Sequence, residues 1–117
     1  MIIEQTVREY MISKLDCPVW MEIPKGVIAP EQYVLIQKVG SQSRNHVEQA
    51  RLAIQSHADS MMNAAQLNEE VISAMKGLSA LDAIGRVTLG GDYNFTNTQT
   101  KKYRYQAYFE ITYYREV

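Results

Sequence analysis

The chain has a single cysteine, Cys17, so it can close no disulfide within itself. Small secreted scaffolds lean on such bridges, and this one must be held by its core. It also lacks an excess of charge of one sign. Twelve Lys and Arg face 13 Asp and Glu, for a formal net charge of -1, so no global field draws it to nucleic acid or to an anionic membrane. No apolar run approaches the ~18 residues of a membrane span. The opening Met1-Ile2-Ile3-Glu4-Gln5 has neither the basic nor the apolar region of a signal peptide, and the expectation is a cytosolic protein. On that expectation, the sequon at Asn94-Phe95-Thr96 is a chance match. Prolines are scarce too, only three, and each punctuates the chain.

What is present is an ordinary hydrophobic fraction, 46%, on 117 residues, enough for one domain spanning 1–117. Ile3, Val7, Tyr10 or Met11, and Lys14 or Leu15 recur at helical steps, and Asp16-Cys17-Pro18 ends that helix. Residues 19–23 read as a short strand and 32–39 as a second. The second is apolar on both faces, as a central or doubly covered strand would be. A polar connection over 40–45 leads to a third strand at about 46–56, with Ala50, Leu52 and Ile54 on its apolar face. Residues 56–60 supply helix-start chemistry. Ala64, Leu67 or Asn68, Val71, Met75 and Leu78 then mark a second helix, with Gly77 as its breaker. Residues 84–89 make a fourth strand, running into Gly90-Gly91, which suggests a bulge. After a turn at 97–99, a fifth strand covers 101–115.

Eight of the eleven aromatic residues fall between Tyr93 and Tyr114. On the fifth strand, alternation sorts Tyr103, Tyr105, Ala107, Phe109, Ile111 and Tyr113 onto a core face. Arg104, Gln106, Tyr108, Glu110, Thr112 and Tyr114 go to a partly open one. The order α-β-β-β-α-β-β implies an α+β fold: a mostly antiparallel sheet of about five strands with two helices on one face. Open aromatic surface on so small a domain points to a partner.

Catalytic constellations are not visible. His46 and His57 sit at opposite ends of one strand and cannot share a metal ion within a subunit; both read as surface residues near loops. Cys17 has no neighbouring base and reads as structural. Glu69 and Glu70 diverge by about 100° on a helix and read as a solvated face. Gly90-Gly91 lacks the lysine of a phosphate loop. Met61, Met62 and Met75 read as packing residues. Lys101, Lys102 and Arg104 beside tyrosines keep a single-stranded nucleic-acid module in play, although Tyr103 and Tyr105 fall on the core face. An enzyme whose site is built between subunits is the third class.

The run Asp92-Tyr93-Asn94-Phe95-Thr96-Asn97-Thr98-Gln99-Thr100-Lys101-Lys102-Tyr103-Arg104-Tyr105-Gln106-Ala107 resembles small proteins from the structural-gene clusters of tailed bacteriophages and prophages of Gram-positive bacteria. Leu52-Ala53-Ile54-Gln55-Ser56-His57-Ala58 and the opening Ile2-Ile3-Glu4-Gln5-Thr6-Val7-Arg8-Glu9-Tyr10 fit the same family. The family is similar in architecture to tail terminator proteins. That resemblance implies a non-enzymatic ring of six subunits that caps the tail tube and docks the head connector. It implies no cofactor and no metal. Its partners would be the chain itself, the major tail tube protein and the head–tail connector proteins, with DNA only passing through the lumen. Its place would be the virion tail or neck, and the host cytoplasm during assembly. A related head–tail joining, neck or minor capsid role is the alternative. Under this reading the interface candidates are Arg44, Arg51, Tyr93, Asn94, Phe95, Thr96, Tyr108 and Tyr114. Tyr93, Asn94, Phe95 and Thr96 are expected at the tip of the terminal hairpin. The 40–46 connection or a strand edge is expected to offer the complementary patch.

Overall fold

The computed structural model describes residues 1–114. Helix α1 runs Ile3–Ile12 and buries Ile3, Val7 and Met11, one residue per turn on one side. Leu15 continues that stripe past the helix end. Strand β1 is only Val19–Trp20, shorter than the 19–23 expected, because the chain leaves the sheet at Met21. β2 (Tyr33–Arg44) and β3 (Val47–Ala58) form a long antiparallel hairpin. α2 (Met61–Lys76) follows, capped by Ser60, whose hydroxyl accepts from the Asn63 amide (3.1 Å). Its buried stripe includes Ala64, Leu67, Asn68, Val71 and Met75, as the spacing predicts. A single 3-10 turn at Leu78–Ala80 leads into β4 (Ile84–Asn94), and β5 (Tyr103–Tyr114) closes the chain's sheet. Arg115, at the end of the expected fifth strand, lies outside the described residues.

The sheet order is β1-β2-β3-β5-β4, antiparallel throughout except for the parallel β1–β2 pair. The fold is α+β with the element order α-β-β-β-α-β-β. Both helices pack on one face. Ile54, Leu52, Phe109 and Ile111 from the central strands meet Val7, Met11, Val71 and Met75 there. Phe109, at 2% exposure, anchors this core, and burying a ring of that size stabilises by roughly 2–3 kcal/mol.

Three expectations about the sheet need correction. The polar 40–45 segment is strand, not connection, and the hairpin turns on Asn45 and His46 alone. Both have positive φ (51° and 67°), the geometry that matches the twist of a tight hairpin. Polar rungs hold the arm together, with Gln42 hydrogen-bonded to Gln49 and Ser43 to Glu48. Composition hid a strand whose side chains pair with each other and not with the core. Second, β2 is not covered on both faces. Leu35 lies beside Trp20 in register and is only half-buried. Third, Tyr103 and Tyr105 are half-buried, not fully core, because the open end of β5 extends past the helices. The glycine pair behaves as expected. A register shift falls between Leu89 and Gly91, and Gly91 has φ 147°, which a side chain would disfavour.

Candidate functional site

The face of the sheet opposite the helices carries an ordered row of rings and cations. Register creates it: Tyr33 lies opposite His57, and His57 opposite Arg104. The Phe95 amide donates to the Arg104 carbonyl (2.8 Å), which adds one more rung beyond β4. Trp20 meets Tyr33 at 5.9 Å between centroids, and Tyr33 stacks on His57 at 4.5 Å and 8°. The Arg104 guanidinium sits 4.4 Å from the Phe95 centroid and donates through Nε to the Phe95 carbonyl (2.8 Å). Phe95 meets Tyr93 edge-on at 5.6 Å, and Tyr93 lies 6.0 Å from Tyr108. The row thus spans all five strands.

A directional hydrogen-bond chain runs beside it. Burial, then the Arg104 and Lys102 charges, lower the His57 pKa to about 4, so its ring is neutral near pH 7. Its Nε2 lies 3.0 Å from Gln55 Oε1, an acceptor, which assigns the proton to Nε2. Gln55 Nε2 donates to Gln106 Oε1 (2.9 Å). Gln106 Nε2 donates to the hydroxyls of Tyr93 and Tyr108 (2.7 Å each), which lie 3.2 Å apart. The hydrogen bond with Tyr108 raises the Tyr93 pKa, and burial raises that of Tyr33 against the lowering by Arg104. These groups fix one another. No proton-transfer role follows for Tyr93 or Tyr33, whose hydroxyls are pushed further from neutral titration.

Further along, Arg51 pairs with Glu110 (2.6 Å) on the same face. Both are exposed, so the pair is worth under about 1 kcal/mol. A concavity of about 500 Å³ opens beside it, lined by Gln42, Arg51, Arg86, Thr88 and Glu110 among others. Alternation and register put Arg44 and Arg86 on this side as well. Four of the chain's six arginines therefore share a face with one strand carboxylate, Glu110, a local bias that the near-zero net charge conceals.

The interface candidates separate by face. Tyr93, Phe95 and Tyr108 come together as one cluster, with Arg51 next in line. Arg44 sits at the far end of the β2–β3 arm, and Tyr114 stands exposed against Gly85, where an added Cβ would lie 3.3 Å from its hydroxyl. Asn94 and Thr96 turn the other way. Asn94 Nδ2 donates to Met61 Sδ (2.8 Å) and the Thr96 hydroxyl approaches the same sulfur (3.5 Å), tying the strand end to the start of α2. Nor is Tyr93–Phe95 the hairpin tip: Asn97 bridges Lys102, and the tip lies between them. His57 is not a surface residue but 8% exposed. Trp20, Tyr33, His57, Arg86 and Arg104 are additional members that could have been found only by pairing the strands in register.

Cys17 is half-buried, and burial, then Glu70 and Asp16, raise its pKa, the opposite of an activated thiol. Among the described residues no group of three His, Cys, Asp or Glu is placed to hold a metal ion, and no helix is long and apolar enough to cross a membrane. No protein-family model matches the sequence, and no curated protein matches it.

Proposed function

We propose that the chain is a structural, non-enzymatic subunit of a phage tail, which closes into a ring, terminates the tail tube and joins it to the head connector. The observation that carries this reading is the open sheet face: tyrosines and arginines locked in place by hydrogen bonds, with no helix over them. Such preorganised Tyr and Arg surfaces are the usual anchors of protein interfaces. Exposed aliphatic residues add to it. Ile28 is 94% exposed in the loop between β1 and β2, a state that assembly would relieve. The resemblance of the 92–107 run to phage structural proteins supplies the tail itself as the setting, with the tube protein and connector as partners.

The arginines favour a second reading, a single-stranded nucleic-acid module. Ring geometry weighs against it. Tyr33 and His57 cover each other's faces and Arg104 covers Phe95, so those π-faces are not free to take bases.

Electron microscopy of the protein, alone at high concentration and mixed with tubes assembled from a phage tail tube protein, tests the proposal. Closed rings, or caps at one tube end, are expected. The Tyr93→Ala/Phe95→Ala double variant should keep its circular dichroism spectrum and lose them. Bare tube ends and no ring with the wild type would refute the proposal.

A further inference from the structure

The charge on this molecule is segregated between its two layers. The open sheet face carries Arg44, Arg51, Arg86 and Arg104 against Glu110. Arg44 and Arg86 have no ion-pair partner among the described residues. The helix side leans the other way: Glu9, Glu69 and Glu70 on α1 and α2 and Asp16 just beyond α1 are exposed, against exposed Lys14 and Lys76. A groove of about 460 Å³ runs between the helices, lined by Tyr10, Lys14, Leu15, Asp16, Glu70 and Ser73. Asp16 and Glu70 both line it, so the two carboxylates share one groove.

We infer that the arginine-bearing sheet face of one copy docks on the acidic α1–α2 groove of the next copy. This rests on the ring reading and specifies which surfaces meet in it. The two surfaces lie on opposite sides of the subunit, so the contact is head-to-tail, the kind that builds a ring when its rotation closes. The competing twofold arrangement, sheet face on sheet face, would set arginines against arginines, and like charges across an interface are strongly penalised. The occupant of the groove is a guanidinium. Its planar fork can bridge two carboxylates, which an ammonium cannot do in the same way. Lys14 already sits over the Tyr10 ring at 5.6 Å, which leaves the Asp16–Glu70 end of the groove for the incoming arginine. A polyanion would meet the same arginines but leave the groove carboxylates unpartnered, whereas a second copy satisfies both faces at once.

Edge pairing between copies is the other way to extend this sheet, and the strands discourage it. β4, the outer strand, breaks register twice, at Ile84/Arg86 and Leu89/Gly91, and β2 breaks it at Lys38/Gly40. Bulges of this kind blunt an edge against a neighbouring strand.

Charge reversal in both faces tests the inference. One variant carries Arg44→Glu and Arg86→Glu, the other Asp16→Lys and Glu70→Lys. All four sites are exposed, and matching thermal melts check that each variant folds. Self-association is read by sedimentation velocity and native mass spectrometry over a concentration and salt series. Each variant alone should lose affinity for itself by roughly tenfold or more, and the wild-type assembly should weaken with salt. Mixed, the two variants should reassemble, because the acidic sheet face of one meets the basic helix layer of the other. Wild-type rings with no effect of either reversal would overturn this contact and leave the ring standing. A wild type that stays monomeric with and without tubes would overturn both. Loss of dT20 binding in the arginine variant, with self-association untouched, would assign the face to nucleic acid instead.

Discussion

Acidification should unfold this protein partly through His57. Its ring is buried against Tyr33 with the Arg104 guanidinium and Lys102 nearby, so the imidazolium is disfavoured and its pKa falls from 6.5 to about 4. A histidine freed by unfolding titrates normally. The unfolded state therefore binds the proton first as pH drops, and stability is lost below pH 6.5 until the folded form also protonates near pH 4. The two pKa values imply a loss of about 2 kcal/mol at pH 5 and about 3 kcal/mol below pH 4, of the order of one part in four of a small domain's stability. His57→Phe keeps a ring on Tyr33 and removes the titration. Urea unfolding of both proteins at pH 7.5 and pH 5 isolates the effect as a difference of differences, because the carboxylates contribute equally to each. The variant starts somewhat weaker, having lost its hydrogen bond to Gln55, but should lose about 2 kcal/mol less between the two pH values. Parallel pH slopes, or the His57 imidazole titrating in the folded protein near 6.5 by NMR, would refute the burial-and-cation account.

Local chemistry supports three more predictions. His46→Gly replaces a side chain held at φ 67° in the tight turn and should stabilise by up to about 1 kcal/mol in a thermal melt. Ser60→Ala removes the hydroxyl that caps α2 at the Asn63 amide, and urea denaturation should show a loss of about 1 kcal/mol. Gly77→Ala builds a Cβ into the Tyr10 hydroxyl, so it should destabilise in the wild type and much less in a Tyr10→Phe background; equal costs in a double-mutant cycle would show that the hydroxyl simply moves aside.

The elements built on burial were legible in the sequence. Ile3, Val7 and Met11, or Ala107, Phe109 and Ile111, repeat at 3.6 or 2 residues because each must reach one core, and composition records that. The 40–44 half of the β2–β3 arm was not legible as strand, because its rungs are Gln with Gln and Ser with Glu, and polar pairs leave no hydrophobic period. The interface cluster was half legible. Tyr93, Phe95 and Tyr108 stand out by composition, but Trp20, Tyr33, His57 and Arg104 come from four strands. Their adjacency exists only once register is set. Asn94 and Thr96 were grouped with Tyr93 and Phe95 by sequence proximity, and the pleat sends them to the opposite face, onto Met61.

That division by the pleat explains how a nearly neutral chain can carry a face rich in arginines. Successive residues of a strand alternate between faces, so a segment such as Asp92-Tyr93-Asn94-Phe95 delivers a carboxylate and an amide to the helix side and two rings to the open side. Asp92 is held there by Asn68 of α2 (2.8 Å), which keeps its charge away from the arginines. On β5 the same alternation puts Arg104 in the open row while Phe109 and Ile111 face the core. The buried face can tolerate few charges, so the acids that balance the arginines sit beyond the core, on the outer surfaces of α1 and α2 and in the loops. A sheet with helices on one side thereby separates charge across its thickness without any excess in composition. Under the proposed docking, a neighbour in the same orientation is the one that meets both faces, and a head-to-tail series follows.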